Sequence, residues 1–269
     1  MGQTTVKTAE LNGITMRYAV FGQGLRPMVI LPGLSLIEVT DSADAVAAAY
    51  KCFTKDFTVY LFDRRLNPPM NYTLRQMASD TAAVMKSLGI QNACIFGASQ
   101  GGMIAQFLAI DAPELAAGLA LASTFYEETE IMRSVMDHWL QLAEHGEGPE
   151  LIRDCVERIY SEETRRLYGE AIIASYGKLS RKELDRFSLY VRASYEQRTT
   201  ELLSEIRCPV LVIAAEGDRI TPADNSRRLA EMLHAECLIY DDSYGHAVYD
   251  EAPDVKEKLM AFFKAAVNL

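Results

Sequence analysis

Positive charge is in short supply in this chain. Lysine and arginine together number 27, against 37 aspartates and glutamates, which gives a formal net charge of −10. A surface this acidic repels nucleic-acid phosphates and anionic lipids, so neither nucleic acid nor a membrane is an expected partner. No apolar run reaches the length of a membrane span, and the N-terminal residues lack the apolar segment of a signal peptide. We therefore expect a cytoplasmic protein.

The cysteines and histidines are few and are not grouped as disulfide or metal sites require. The five cysteines are an odd number and include no C-x-x-C pair, which argues against a disulfide framework and a zinc cluster. Among the four histidines, His138 and His145 are not spaced as metal ligands. The sequence therefore predicts no metal site.

The chain does contain the alternating pattern of an α/β protein. Asn12-Gly13 joins two β-type runs near the N-terminus, as is typical of a hairpin. Beyond it, short apolar runs alternate with helical stretches, which predicts a mainly parallel sheet covered by helices on both faces. The predicted strands are 6–11, 15–21, 28–31, 58–62, 93–96, 119–122, 210–214 and 237–240, and the predicted helices are 42–53, 73–88, 100–111, 222–234 and 252–266.

The central stretch of the chain interrupts this alternation, because it contains no clear strand. Apolar residues recur there at helical spacing, as Met132 and Met136 do. We interpret 127–206 as a helical cap, inserted into an α/β core that is formed by 1–126 and 207–269.

The sharpest motif is Gly97-Ala98-Ser99-Gln100-Gly101, which follows a predicted strand and opens a predicted helix. This is the context of a G-x-S-x-G nucleophile elbow. The serine of an elbow lies in a strained turn, so its neighbours need almost no side chain, and the two glycines meet that need. The free N–H groups at the start of the helix point toward developing negative charge. Ser99 is therefore the predicted nucleophile.

A serine hydroxyl needs a base, and the base needs an acid that orients it. His246 lies in the turn between the last predicted strand and the final helix, where α/β sheets gather catalytic groups. Asp218 follows an earlier strand, and the chain order Ser99, Asp218, His246 is the one expected of an elbow on an α/β sheet. The sequence therefore predicts His246 as the base and Asp218 as the acid. The competing carboxylates are Glu216, Asp241 and Asp242.

Acyl chemistry also needs N–H donors for the developing oxyanion. One is the backbone N–H of Gln100, the residue that follows the serine. The other is expected from the loop Leu31-Pro32-Gly33-Leu34-Ser35, in which Gly33 permits close backbone approach. The N–H of Leu34 is the predicted second donor.

Together these features resemble the α/β-hydrolase superfamily, in its branch of small-cap esterases, lactonases and carbon–carbon bond hydrolases. The resemblance covers nearly the whole chain, including Pro32-Gly33, Gly97 to Gly102, the cap, Gly217-Asp218 and Gly245-His246. It implies an eight-stranded sheet, a cap over the pocket and no cofactor. The chain departs from the family pattern at two loops. Pro32-Gly33 stands where His-Gly is common, and 63–69 replaces the usual Asp-x-Arg-Gly-x-Gly run, so that loop must have a different shape.

The cap is expected to select the substrate. Met136, Trp139 and Tyr190 are the candidates for lining an apolar pocket, although the same residues suit packing between cap helices. Arg186 or Arg192 could bind a substrate carboxylate, but an exposed arginine on a helix is commoner.

The sequence therefore predicts a carboxylesterase-like serine hydrolase that cleaves a small-molecule ester, or a related lactone or thioester, through an acyl-enzyme. Two alternatives stay open. A carbon–carbon bond hydrolase of ring-cleavage products would use the same triad with an arginine at the cap, although such relatives tend to have a polar residue where this chain has Ala98. A ligand-binding receptor of the same fold would hydrolyse only weakly.

Overall fold

The computed structural model describes residues 4–269, which form one eight-stranded sheet and the helices around it. The strands are β1 (Thr5–Leu11), β2 (Ile14–Gly22), β3 (Arg26–Leu31), β4 (Phe57–Arg65), β5 (Ala93–Ala98), β6 (Ala116–Ala122), β7 (Val210–Ala215) and β8 (Glu236–Tyr240). The helices are α1 (Ala43–Ala49), α2 (Leu74–Ser87), α3 (Gln100–Asp111), α4 (Glu130–His145), α5 (Gly148–Ile159), α6 (Glu162–Tyr176), α7 (Arg181–Ser194), α8 (Ala223–Leu233), α9 (Val248–Glu251) and α10 (Val255–Ala266). Short 3₁₀ turns connect several of them.

The sheet has the strand order β1-β2-β4-β3-β5-β6-β7-β8. β2 runs antiparallel to β1 and β4, whereas the pairs from β4 through β8 are parallel. The predicted mainly parallel, eight-stranded sheet is therefore confirmed. The hairpin between β1 and β2 turns at Asn12 and Gly13, both with positive φ, as a tight two-residue turn requires.

Apolar side chains on the two faces of the sheet form two separate hydrophobic clusters. One includes Val29 and Ile95 and continues into α2, α3, α8 and the helices α4 to α7. The other includes Met28 and Phe96 and packs against α1 and α10. Since neighbouring strand residues point to opposite faces, a buried strand such as β5 supplies both clusters and is apolar along its whole length.

Two predicted helices differ in extent from the observed ones. The predicted helix 42–53 ends at Ala49 and gives way to a 3₁₀ turn, Lys51–Lys55. The predicted helix 252–266 begins only at Val255, because Pro253 forces the preceding Ala252 into an extended conformation with ψ 128°.

The four helices α4 to α7 lie between β6 and β7, within the stretch predicted as a helical cap. The division of the chain into 127–206 and a flanking core remains a prediction. Across residues 4–269, no helix combines the length and apolar character needed to cross a membrane.

Candidate active site

Ser99 lies in the turn between β5 and α3 with a strained backbone. Its φ is 50° and its ψ is −121°, a region that non-glycine residues seldom occupy. Neighbouring β6 holds this conformation, because the Ser99 N–H donates to the Ala122 carbonyl at 2.8 Å and the Thr124 hydroxyl donates to the Ser99 carbonyl at 2.7 Å. These two hydrogen bonds therefore fix the position of the Ser99 backbone.

The glycines around Ser99 allow close backbone approaches that no side chain would permit. A Cβ on Gly97 would lie 2.7 Å from the Gly101 carbonyl oxygen, and one on Gly101 would lie 1.9 Å from the Leu31 carbonyl oxygen. A Cβ on Gly102 would lie 2.6 Å from the Thr124 hydroxyl. The start of α3 is thus packed directly against the end of β3 and the loop after β6.

His246 and Asp218 form a buried hydrogen-bonded pair. The histidine Nδ1 lies 2.8 Å from one carboxylate oxygen of Asp218 and 3.0 Å from the other. The backbone N–H groups of Ile220 and Thr221 also donate to the Asp218 carboxylate, each at 2.8 Å. Because a carboxylate only accepts, Nδ1 is assigned the proton, which leaves Nε2 as the basic nitrogen.

The three predicted triad residues are gathered at one edge of the sheet. Ser99 follows β5, Asp218 follows β7 and His246 follows β8, and these strands are parallel. Among the residues that the structure describes, no hydrogen bond joins the Ser99 hydroxyl to His246. Such bonds are often long in unliganded enzymes and shorten when substrate binds.

The carboxylates that competed with Asp218 are occupied elsewhere or lie at the surface. Glu216 pairs with Arg227. Asp241 accepts hydrogen bonds from the backbone and hydroxyl of Ser243 in its own turn, and Asp242 is exposed. Asp218 is the one of the four that contacts His246.

The predicted oxyanion loop passes directly beside the serine. A Cβ on Gly33 would lie 3.2 Å from the Ser99 Cβ and 3.8 Å from its Oγ. Leu34 is the next residue, and Gln100 is the first residue of α3. The structure thus brings both predicted donors next to Ser99, and their role as oxyanion donors remains a prediction.

The three predicted substrate-binding residues are all buried in one hydrophobic cluster. Trp139 of α4 is buried, its ring is tilted against Phe187 of α7 and its N–H donates to Asp154 of α5. Met136 is buried in the same cluster. Tyr190 also contacts Gln100, because its backbone carbonyl accepts a hydrogen bond from the Gln100 side chain at 2.7 Å.

Both arginines of α7 that were considered for carboxylate binding are paired with acidic residues. Arg186 is largely buried and forms an ion pair with Glu38, which is equally buried. Arg192 is exposed and pairs with Glu144.

Sequence reasoning missed the role of Arg64, at the end of β4. Its Nη2 donates to the carbonyls of Pro32 and Gly33, at 2.7 and 3.2 Å, and to the side-chain oxygen of Gln100 at 3.1 Å. One signal in the sequence could have found it. A charged residue at the C-terminal end of an apolar parallel strand lies at the edge of the sheet where such folds build their sites.

Asp63, near the end of β4, is bonded to the segment between β3 and α1. Its carboxylate accepts hydrogen bonds from the Val39 N–H and from the N–H and hydroxyl of Thr40. Burial raises the pKa of Asp63 above its ordinary value, although these hydrogen bonds oppose the shift. Asp63 therefore anchors the segment between β3 and α1.

Comparison with known proteins assigns the family. The alpha/beta hydrolase family model matches residues 28–256, and the chain belongs to this family. BpoC of Mycobacterium tuberculosis, which carries the provisional name of a non-heme bromoperoxidase, is 25% identical over 231 residues, covering 83% of this chain and 86% of BpoC.

Solved structures of similar proteins show the same fold. The alpha/beta hydrolase MGS-M2, from a Medee basin deep-sea metagenome library, superposes with a TM-score of 0.85 at 23% identity, covering 96% of this chain and 97% of the other. The enol-lactonase of Burkholderia xenovorans superposes with a TM-score of 0.82 at 19% identity, covering 95% and 99%.

Proposed function

We propose that this hydrolase cleaves a small-molecule ester, or a related lactone or thioester, with Ser99 as nucleophile. The observation that carries the proposal is the strained serine at the start of α3, on the same sheet edge as the buried His246–Asp218 pair. An imidazole whose Nδ1 is held by a buried carboxylate is oriented to act as a base through Nε2. The family membership and the similarity to an enol-lactonase agree with this reaction class.

The proposed reaction has two halves. Ser99 Oγ attacks the acyl carbon while His246 Nε2 takes the hydroxyl proton, and the carbonyl electrons move onto the oxygen. When the tetrahedral intermediate collapses, the bond to the leaving alcohol breaks and His246 returns the proton to it, leaving an acyl-enzyme. Water then attacks the acyl-enzyme in the same way, and the acid is released with Ser99 restored.

The surrounding groups have separate roles in this scheme. Asp218 holds the histidine tautomer and stabilises the imidazolium that forms in each half-reaction. The N–H groups of Leu34 and Gln100 donate to the oxyanion, which gains most from donors that are already in place.

A series of p-nitrophenyl esters of graded acyl length tests the proposal. We expect sustained turnover by the wild type and a loss of at least about 1,000-fold in kcat for Ser99→Ala, because the nucleophile is removed while the fold remains. Ser188→Ala is the matched control, since this buried cap serine donates only to the Leu184 carbonyl one turn earlier. Full activity of Ser99→Ala would overturn the assignment.

The same series tests the receptor alternative, and the ion pairs of two arginines bear on the carbon–carbon bond hydrolase. A receptor-like protein would label at Ser99 with a fluorophosphonate but would not turn over any ester repeatedly. A carbon–carbon bond hydrolase would need a cap arginine free to bind a carboxylate, and the pairing of Arg186 with Glu38 and of Arg192 with Glu144 favours the ester reaction instead.

A further inference from the structure

Arg64 and Gln100 join three parts of the protein, which are the loop after β3, the start of α3 and helix α7. The Arg64 guanidinium contacts the loop after β3 and the side-chain oxygen of Gln100. The Gln100 side-chain nitrogen in turn donates to the Tyr190 carbonyl at 2.7 Å and to the Ser194 hydroxyl at 2.8 Å, both on α7. The side chain of Gln100, which is 2% exposed, therefore has both of its polar atoms occupied. We call this set of contacts the Arg64–Gln100 brace.

The brace acts on the same peptide group that carries a predicted oxyanion donor. The Gly33 carbonyl and the Leu34 N–H belong to one peptide unit, and no peptide in the described range 4–269 is cis. In a planar trans peptide the carbonyl and the N–H point in opposite directions. A cation that holds the Gly33 carbonyl therefore fixes the direction of the Leu34 N–H and, by polarising the peptide, strengthens it as a donor.

Among residues 4–269, Arg64 forms no ion pair with a carboxylate. Its Nη2 serves three neutral acceptors, and its buried Nε has no hydrogen-bond partner within the described part of the chain. The adjacent Asp63 carboxylate instead accepts from Val39 and Thr40. Burial lowers the pKa of Arg64 from its usual value, yet a guanidinium keeps its charge. A cation that forms no ion pair is available to stabilise negative charge that develops nearby.

We propose that Arg64 and the Gln100 side chain are positioning residues, which hold the N–H groups of Leu34 and Gln100 in register and fasten helix α7 to them. The inference rests on the proposed function, because it concerns oxyanion stabilisation in acyl transfer. It adds that the alignment of the oxyanion donors depends on the hydrogen bonds from Gln100 to helix α7.

The test compares two identical substitutions on one helix. Gln100→Leu removes both polar atoms of the brace. Gln106→Leu removes a similar buried network, in which the Gln106 nitrogen donates to Phe125 and its oxygen accepts from Thr199, two turns farther along α3. Turnover of p-nitrophenyl acetate is measured per active site titrated with a fluorophosphonate. Binding of phenylboronic acid, which forms a tetrahedral anion on a serine, reports oxyanion stabilisation separately.

We expect Gln100→Leu to lower kcat by about 10- to 100-fold, with KM changed less than about threefold. The affinity for the boronate should fall by a factor similar to that of kcat. The reason is that misaligned donors lose part of the roughly 100- to 1,000-fold effect of an oxyanion donor. Gln106→Leu should leave kcat per active site within about twofold of wild type. Arg64→Met should reproduce the Gln100→Leu effect, and Arg64→Lys should recover part of it.

Wild-type values of kcat and boronate affinity in both Gln100→Leu and Arg64→Met would overturn the inference while leaving the proposed function intact. An equal loss in Gln106→Leu would also overturn it, since general loosening of α3 would then explain the result. Absence of Ser99-dependent turnover in the wild type would instead contradict the proposed function. In that case the rate of fluorophosphonate labelling, which passes through a similar charged state, decides on the brace by the same comparison of variants.

Discussion

Asp218 differs in its surroundings from the other carboxylates that follow strands β7 and β8. It accepts hydrogen bonds from two backbone N–H groups and from His246, and it is buried. Glu216, two residues earlier, is directed toward Arg227 at the surface. Two carboxylates at nearly the same position in the chain therefore have different partners, because their side chains point in different directions.

Replacing each of these carboxylates by its amide tests this difference. Asp218→Asn should lower kcat by about 100- to 10,000-fold, because an amide neither holds the tautomer with Nδ1 protonated nor stabilises the imidazolium. Glu216→Gln should stay within about twofold of wild type. Steady-state kinetics on the best ester of the series measures both effects. Comparable losses in the two variants would contradict the assignment of Asp218 as the orienting acid.

At the scale of elements, the contact between α3 and β3 depends on a missing side chain. A Cβ on Gly101 would meet the Leu31 carbonyl carbon at 2.5 Å and the Pro32 carbonyl oxygen at the same distance, so only backbone atoms could yield. The turn at Ser99 and the loop after β3 are therefore packed as one unit. Their relative position is a property of this packing and not of either segment alone.

Gly101→Ala should lower the free energy of unfolding by about 1–3 kcal/mol, because overpacking against backbone forces the helix away from β3. Gly169→Ala is the matched control in the middle of α6. There the nearest atom to an added Cβ is the Arg165 Cβ at 3.8 Å, so the substitution should stabilise the protein by about 0.5–1 kcal/mol through helix propensity. Urea unfolding measures both changes. A neutral Gly101→Ala would show that α3 moves without cost.

At the scale of the whole molecule, helices α5 to α7 contact the loops that carry Ser99, Asp218 and His246. The Gln100 side chain connects the elbow to α7. Arg219, next to Asp218, pairs with Glu157 of α5. The Glu251 carboxylate accepts from the Gly245 N–H at 2.9 Å and from the Ser161 N–H at 2.8 Å, which ties the His246 loop to the junction of α5 and α6. Movement of these helices would therefore be felt at the site.

The five cysteines report on the packing of the whole protein. All are free, but only Cys94 and Cys155 are buried, so the thiols differ in access. Burial raises the pKa of the Cys94 thiol to about 12 and that of Cys155 well above its ordinary value. At pH 8 almost none of either is the reactive thiolate, because the pH lies below the raised pKa.

Native protein treated with a thiol reagent at pH 8 should therefore modify the exposed Cys52 first. Cys94 and Cys155 should react only after unfolding in denaturant. Peptide mapping by mass spectrometry identifies the modified residues over time, and the fully unfolded protein serves as the control in which all five react. Labelling of Cys94 as fast as Cys52 in the native state would contradict the packing between the sheet and α10.

Much of the fold was predictable because its signals are local. The strands are short apolar runs, the first hairpin turns at Asn12-Gly13, and the elbow shows itself through glycines that a strained turn requires. Errors arose where one residue changed a local preference, as Pro253 delayed the start of α10. The end of α1 at Ala49, where a 3₁₀ turn takes over, had no comparable signal, because 3₁₀ turns and helix ends look alike in sequence.

The sequence by itself determined the α/β architecture and predicted Ser99 and His246, with Asp218 preferred among four candidate carboxylates. Only the tertiary structure decided which carboxylate contacts the histidine and that Arg64 lies behind the Gly33 peptide. The physical reason is range. Turn strain and apolar periodicity act between neighbours in the chain, whereas the partner of a polar side chain is chosen by the packing of distant strands, 31 residues apart in the case of Arg64 and Gly33.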